Sequence, residues 1–370
     1  MAARAPQGLF LPPRTATIVV APYDASAIAK AQADYICDGV ADEAQINAAI
    51  TAAAGGHVYL HKGTFLTADE ILANQSYTIL EGSGFLTIIR PQVGMTNSIN
   101  ITGHFQTFAN FQVDGNSQAT RWFNNGTYNT FSHVMSTNHT SKNLTVAGGA
   151  AHITNNCYFI GRPVEVTGSA VVFDGECYFN GQGSFSLLEI ESQAVSVIGC
   201  DFESYLGDAI RIAITNSVWV VTIMGNYFES TEICTNTIMT GAHLAGGSII
   251  NNYQGTAVQT TNFLSLNLGQ NVEVSGNYST LPIVVATAVD GCRVKNLGGI
   301  SYNTLTGLSY LEKHYNEGTI LNDTAAPAGG TWAVGDRIWN TAPAAGGAPG
   351  WVCTTAGTPG TWKAMASLGA

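Results

Sequence analysis

The residues best suited to chemistry are carboxylates at matching positions of a repeated phrase. Glu203 and Glu229 each lie three residues after the central residue of two successive copies, Cys200 and Asn226. If these copies stack as neighbouring strands, their backbones lie roughly 5 Å apart. Two carboxylates at about that separation could serve as acid and base, or as acid and nucleophile, in glycosidic-bond hydrolysis. Their mutual repulsion would raise the pKa of one of them.

Further polar residues lie close to this pair in the sequence. Asp208 and Arg211 follow Glu203 within the same copy. Glu189 and Glu191 are two residues apart, which would place both side chains on one side of a strand. An alternative interpretation is that these acids form a solvated ladder with no catalytic role. The predicted catalytic residues are Glu203, Glu229 and Asp208, and the predicted substrate-binding residues are Arg211, Glu189 and Glu191.

The phrase itself recurs six times in the middle of the chain, at steps of 20, 23, 26, 26 and 25 residues. Each copy is a short apolar or β-branched run that ends in Gly or Asn, which is typical of a strand followed by a turn. A unit of this size cannot bury its own apolar face, so the period predicts a stacked solenoid. The copies are NNCYFIG, GECYFNG, IGCDFES, MGNYFES, INNYQGT and SGNYSTL, with pivots Cys157, Cys177, Cys200, Asn226, Asn252 and Asn277.

Among solenoids, the residue types favour a parallel β-helix. No regular Leu pattern and no long amphipathic stretch is visible, whereas Val, Ile, Phe, Tyr, Asn and Gly dominate. Equivalent residues of stacked coils should form ladders along the axis: buried, reduced cysteines, stacked phenylalanines and turn asparagines. The predicted ladders are Cys157, Cys177 and Cys200; Phe159, Phe179, Phe202 and Phe228; and Asn226, Asn252 and Asn277.

Composition and charge exclude several classes of function. Only 11% of the 370 residues are charged, against about 25% in ordinary domains, and the net charge of −11 argues against nucleic acid as a partner. No apolar run approaches the roughly 20 residues of a membrane span. The start of the chain is interrupted by Pro12, Pro13 and Arg14, so we expect no signal peptide. The seven cysteines show no paired metal spacing, and we predict neither metal nor cofactor.

The N-terminal third supplies a second pattern. A helix followed by strands is predicted for the segment DGVADEAQINAAITAAAGGHVYLHKGTFL. The helix has Asp42 as N-cap and an apolar stripe of Ile46, Ala49 and Ile50. Together with ILEGSGFLTII, this stretch resembles the N-terminal segment of the pectate-lyase-like right-handed β-helix superfamily. The motifs lie in residues 34–90, and coil spacing extends the resemblance over residues 91–310. It implies an all-β, right-handed, single-stranded parallel β-helix whose first coil is capped by a short helix.

Three regions follow from these patterns. Residues 1–20 form an N-terminal arm that could dock to another protein or to a neighbouring subunit, and residues 21–310 form the capped β-helix. Residues 311–370 form a linker and a small β-module that holds four of the six tryptophans and resembles a terminal module of phage tail and spike proteins. We interpret these tryptophans as the core of the module, with carbohydrate stacking as the alternative.

The resemblance is greatest to bacteriophage tailspike and tail fibre proteins. It implies a virion protein, synthesised in the host cytoplasm and assembled as a homotrimer, that recognises a bacterial surface polysaccharide and could depolymerise it. The alternatives are a free polysaccharide lyase or glycoside hydrolase, and a structural β-solenoid without catalytic role. The chain lacks the double-Asp signature of polygalacturonases and the basic and metal-binding residues of pectate lyases, so the fold does not identify a reaction.

Overall fold

The computed structural model describes residues 17–181, 183–212, 218–255, 259–279, 281, 283–290, 293–295, 313–314, 318–329 and 332–367. Within them the chain winds into a parallel β-helix, as the sequence predicted, because equivalent strands of successive coils pair in parallel. Each coil contributes strands to three stacks, here named A, B and C in the order in which the chain visits them after each C-to-A corner. No helix among these residues is long and apolar enough to cross a membrane.

Stack A holds the strands that follow the most variable corner of the coil. Its members pair in the order in which they occur in the sequence. They are Ile71–Ala73, Met95–Ile101, Ala119–Asn124, Leu144–Val146, Val164–Val166, Leu188–Ile190, Ile210–Ile212, the first parts of Ile233–Ile250 and Gln259–Ser275, and Ile283–Asp290.

Stack B is the longest and begins beside the N-terminal strand. Its members are Tyr35–Ile36, Thr17–Ala21, His57–Leu60, Ile79–Gly82, the first parts of Thr107–Asp114 and Thr130–Thr137, His152–Thr154, Val172–Phe173, Val195–Ile198, Val218–Met224, the last parts of Ile233–Ile250 and Gln259–Ser275, and Arg293–Lys295. Residues 17–20 of the predicted arm thus belong to a strand, and residues 1–16 lie outside the described residues.

Stack C carries the repeated phrase. Its members are Gly63–Thr67, Thr87–Pro91, the last parts of Thr107–Asp114 and Thr130–Thr137, Tyr158–Ile160, Tyr178–Asn180, Asp201–Glu203, Tyr227–Glu229 and Tyr253–Gln254. In-register partners such as Phe202 and Phe228 are one repeat apart in the sequence. The repeat therefore corresponds to one coil.

The interior is filled by the predicted ladders. The rings of Phe179 and Phe202 stack at 4.6 Å between centroids, and those of Phe202 and Phe228 at 5.1 Å. The three ladder cysteines are buried and unpaired, as predicted. Asn226 and Asn252 are buried, and Nδ2 of Asn226 donates to Oδ1 of Asn252 at 2.9 Å. These contacts hold consecutive coils in one register.

The second of two helices among the described residues, Ala27–Gln32 and Glu43–Ala53, caps the first coils. Its stripe of Ile46, Ala49 and Ile50 is buried, as predicted. Asp42 occupies the N-cap position of this helix, as predicted. Its side chain makes no helix cap; its two oxygens accept from the backbone N–H groups of Gly39 and Leu66, each at 2.7 Å. Asp42 therefore ties the helix start to neighbouring loops and strands.

The C-terminal module is a small, mostly antiparallel sheet of Lys313–His314, Gly318–Asp323, Arg337–Asn340, Gly350–Thr355 and Thr361–Ala364. Its core contains Trp332, against which Trp362 packs edge-to-face at 5.0 Å, and Trp351 is partly buried beside it. Trp339 is the exception, with 44% of its surface exposed. Three of these four tryptophans therefore serve the module's own core.

Candidate functional site

The two predicted catalytic glutamates are register partners on stack C. Glu203 pairs with Glu229 on the next coil. The residue before each glutamate, Phe202 or Phe228, is buried in the core. Because side chains alternate along a strand, the glutamates and the residues two positions before them lie on the outer face of the stack. The predicted proximity of Glu203 and Glu229 is thus what the strand register produces.

A second column of side chains runs beside these glutamates. It consists of tyrosines on five coils and one aspartate, Asp201, in the middle. Tyr227 stacks with Tyr253 at 5.6 Å, and Tyr253 stacks with Tyr278 at 4.9 Å. The tyrosine column comprises, in register, Tyr158, Tyr178, Asp201, Tyr227, Tyr253 and Tyr278.

Tyrosine hydroxyls hold both glutamates in place. The hydroxyl of Tyr178 donates to Oε2 of Glu203 at 2.6 Å, and that of Tyr227 donates to Oε2 of Glu229 at 2.6 Å. Burial and then the hydrogen bond to Glu203 raise the pKa of Tyr178 to about 12. The bond to Glu229 and then burial raise the pKa of Tyr227 to about 12. Each carboxylate therefore has a neutral phenol as a fixed donor near neutral pH.

Asp201 is the carboxyl whose proton affinity is most unusual at this face. Burial, followed by the charges of Glu203 and Glu229, raises its pKa to about 6. Its Oδ1 is buried and has no hydrogen-bond partner. The sequence interpretation omitted Asp201 from the site. The signal was present, because the third copy reads CDF where the neighbouring copies read CYF and NYF.

Asp208 and Arg211 lie on a different side of the solenoid from Glu203. The turn of residues 204–209 leads from stack C to stack A, where Arg211 lies in strand Ile210–Ile212. Nε of Arg211 donates to Asp208 at 3.1 Å, and Nδ2 of Asn236 donates to the other oxygen at 3.2 Å. Burial raises the pKa of Asp208, an effect that Asn236 and Arg211 partly offset.

Asp208, Arg211 and Asn236 line a cleft of about 540 Å³. Glu189, the register partner of Arg211, lines it as well and is paired with Lys142. Glu203 and Glu229 are not part of its lining. The predicted catalytic residues Glu203, Asp208 and Glu229 therefore fall into two clusters on adjacent sides of one corner. The cleft is lined by Ser184, Phe185, Ser186, Glu189, Leu206, Gly207, Asp208, Arg211, Thr235, Asn236 and Met239.

Glu191 is separate from both clusters. It follows strand Leu188–Ile190 and lies in the corner that leads from stack A to stack B, away from stack C. Strand Leu188–Ile190 ends one residue before Glu191, and the alignment of Glu191 with Glu189 on one face remains a prediction. The roles assigned to all six residues remain predictions. Among the described residues, no group of three or more His, Cys, Asp or Glu side chains is arranged to hold a metal ion.

No protein-family model matches the sequence, and no curated protein matches it significantly. Solved structures do match. The surface protein and adhesin PfbA of Streptococcus pneumoniae aligns with a TM-score of 0.51 and 14% identity, over 70% of this chain and 89% of that chain. The tailspike of Acinetobacter phage vB_ApiP_P1 aligns at 0.49 and 11%, over 95% and 79%.

ORF18 of Geobacillus virus E2 aligns with a TM-score of 0.44 and 17% identity, over 70% of this chain and 57% of that chain. At 14% identity, the alignment with PfbA shows a shared architecture alone and leaves ligand and reaction open. The chain is therefore a parallel β-helix, the architecture that its resemblance to pectate-lyase-like proteins implied.

Proposed function

We propose that this protein binds a bacterial surface polysaccharide along the outer face of stack C and hydrolyses it there. The observation that carries the proposal is the position of Asp201. It interrupts a column of tyrosines and lies beside two glutamates that tyrosine hydroxyls hold in place. A column of aromatic rings with a carboxyl group at its centre suits a polymer that lies along the axis.

The tyrosines supply the binding surface. Their rings repeat once per coil, and Tyr253 and Tyr278 are about half exposed, at 43% and 52%. A phenol combines an apolar ring, on which the apolar face of a sugar can lie, with a hydroxyl that bonds to the polar edge. Because the coils repeat at the strand spacing of roughly 4.8 Å, several sugar units can contact successive rings.

The carboxyls supply the chemistry. With a pKa of about 6, Asp201 retains its proton in roughly a tenth of molecules at pH 7 and can donate it to the glycosidic oxygen. Glu203 or Glu229 then either removes a proton from a water that attacks the sugar carbon, or attacks that carbon itself to form a glycosyl-enzyme ester that water hydrolyses. This assignment keeps a glutamate as base or nucleophile and moves the acid role, which the sequence had assigned to the other glutamate, to Asp201. Arg211, in the neighbouring cleft, would orient an anionic or hydroxyl group of an adjacent sugar.

The biological setting is part of the same proposal. We infer a phage tailspike or fibre located in the virion, assembled as a homotrimer, with residues 1–20 docking to other tail proteins. Low charge content and exposed apolar side chains support an assembly that covers part of the surface. A free hydrolase or lyase and a non-catalytic solenoid are the competing outcomes.

The test is incubation of the full chain with a panel of bacterial surface polysaccharides, followed by assays of new reducing ends and of unsaturated uronates. New reducing ends without unsaturation support hydrolysis. Unsaturated products would instead establish a lyase, and binding without cleavage would establish an adhesin. Failure of every glycan to bind would leave the structural solenoid.

A further inference from the structure

Three exposed aromatic side chains form a continuous stack on the corner between stacks A and B. The rings of Tyr77 and Phe105 lie 5.2 Å apart and differ by 3° in orientation, and those of Phe105 and Tyr128 lie 4.8 Å apart and differ by 2°. Their exposed fractions are 65%, 48% and 58%. We call Tyr77, Phe105 and Tyr128 the aromatic ridge.

The turn itself does not require aromatic residues at these positions. Each ridge residue has a left-handed backbone, with φ of 65°, 55° and 58°, and its N–H donates to a carbonyl of the following coil. Later coils make the same left-handed corner with Ala150 and Ala170. A large side chain is uncommon in this conformation and adds strain that alanine lessens. The left-handed turn therefore does not explain the aromatic rings.

The corner is also free of formal charge over successive coils. The segments 74–79, 102–107, 125–130, 147–152 and 167–172 contain no Asp, Glu, Lys or Arg, in a chain with 25 acidic residues. Glu191 is the first charged residue of this corner farther along the chain. When copies meet around a symmetry axis, residues near the axis approach their own counterparts, so charge there would be repulsive.

The position of the ridge leaves the proposed glycan site open. Each coil has three sides, and the corner between stacks A and B is the one that stack C does not adjoin. Copies that meet along this corner would therefore direct their tyrosine columns away from one another.

We propose that the aromatic ridge is the surface through which copies of this chain associate, with Tyr77, Phe105 and Tyr128 of three copies packed around a common axis. This inference rests on the trimer of the proposed function and assigns its contact surface. Burial of three exposed rings per copy supplies an apolar contact for this association.

The test is the mass of the full chain in solution at micromolar concentration. The wild-type protein should have about three times the monomer mass of 38.8 kDa, and Phe105→Glu should reduce it to one chain. The matched control is Val93→Glu, because Val93 is 47% exposed but lies in the corner between stacks C and A. This variant should keep the wild-type mass. Glycan binding per chain should be unchanged in both variants.

A second measurement avoids the charge that Phe105→Glu introduces on the ridge. All described cysteines are buried, so Tyr128→Cys introduces an accessible thiol on the ridge. A short bis-maleimide should link it to another copy, whereas Val93→Cys should remain unlinked. An oligomer that persists in Phe105→Glu and shows no Tyr128→Cys linkage would overturn the ridge assignment alone. A monomeric wild-type protein would overturn the trimer as well, and neither result bears on glycan cleavage.

Discussion

Asp201 and Tyr227 are register partners on neighbouring coils, so a carboxyl occupies the position at which the next coil presents a phenol. The consequence for Asp201 is electrostatic. Its neighbours Glu203 and Glu229 are both held by tyrosine hydroxyls, and no hydrogen-bond partner offsets the burial of its own Oδ1. A group in this position is costly for folding and useful for proton transfer, which yields opposite effects on stability and activity.

The first prediction is that Asp201→Asn stabilises the protein and abolishes cleavage. The folded state raises the Asp201 pKa, so the ionised group is destabilising above pH 6, and that penalty vanishes below about pH 4. For a half-buried group, removal should increase the free energy of unfolding at pH 7 by about 1 kcal/mol. Urea unfolding measures the change, and turnover should fall at least about a hundredfold.

The control for this prediction is Asp174→Asn. Asp174 bonds to Nε2 of His152 at 2.9 Å, and hydrogen bonds with Thr154 and His152 lower its pKa despite the opposing effect of burial. Its ionised form is therefore favoured by the fold, and removal should not stabilise. If both substitutions stabilised the protein equally, the effect could not be attributed to the raised pKa of Asp201.

The second prediction concerns the pH dependence of cleavage. If Asp201 is the proton donor, turnover should fall as pH rises through about 6, because the donor loses its proton. Initial rates of reducing-end release between pH 4.5 and about 8 provide the profile. Glycan binding, followed in parallel, should vary much less. A rate that increases steadily through this range would remove Asp201 from the acid role.

The third prediction separates the tyrosine hydroxyls from the rings. Tyr178→Phe and Tyr227→Phe keep the aromatic surface but remove the donors to Glu203 and Glu229. We expect cleavage to decrease about tenfold or more while the dissociation constant for a glycan changes little. Tyr253→Ala, which removes a ring outside the carboxyl cluster, should show the reverse pattern. A weakened binding constant with unchanged turnover in the Phe variants would contradict the positioning role.

The ladders and the pairing of Glu203 with Glu229 could be predicted from the sequence because strand register follows directly from the repeat. Phe179, Phe202 and Phe228 occupy the same place in each copy, so stacking coils must bring them together. The same logic would have identified Asp201, had the column at that position been compared copy by copy. For any residue within a strand, the repeat therefore predicts its neighbours on the adjacent coils.

The placement of Asp208 and Glu191 could not be obtained in this way. Both lie in turns, and sequence distance does not reveal which side of a coil a turn leads to. Residues 204–209 lead from stack C to stack A and separate Asp208 from Glu203, while strand Leu188–Ile190 ends before Glu191. The pKa of Asp201 was equally hidden, because it depends on burial and on the side-chain directions of two neighbouring coils.

The fourth prediction is a loss of stability on acidification that depends on His139. This side chain is buried beside Ser98 and Ser136, with Nε2 of His139 3.1 Å from Oγ of Ser98, and burial lowers its pKa to about 4. The unfolded chain binds a proton near pH 6.5, so stability is full above that pH and decreases as pH falls toward 4. Over this pH range the free energy of unfolding should decrease by roughly 3 kcal/mol.

Asp201 has the opposite pH dependence, so the measurement is made in the Asp201→Asn background. Urea midpoints should fall between pH 7 and 4.5, and adding His139→Gln should remove most of that slope. A slope that is unchanged by His139→Gln would assign the acid sensitivity to other groups.

The fifth prediction distinguishes two ways of filling the pivot position. Asn252 accepts from the backbone N–H and from Nδ2 of Asn226, and it donates to Asn277 at 2.9 Å and to the carbonyl of Ile223 at 3.0 Å. Asn252→Ala leaves several of these buried groups unsatisfied and should lower the free energy of unfolding by about 2–4 kcal/mol. Asn74→Ala, at an exposed position, should change it by less than about 0.5 kcal/mol.

Asn252→Cys should fall between these limits. In the earlier coils the pivot is cysteine, and Sγ of Cys177 donates to the carbonyl of Ile153 at 3.4 Å, much as the asparagine amide does. A thiol can thus restore the bond to the preceding coil, but it cannot accept and donate along the axis as an amide does. Because Asn226 and Asn277 would still lose their shared partner, the loss should be about half that of the alanine variant. Chemical unfolding of the three variants would refute the ladder's contribution if Asn252→Ala and Asn74→Ala proved equally stable.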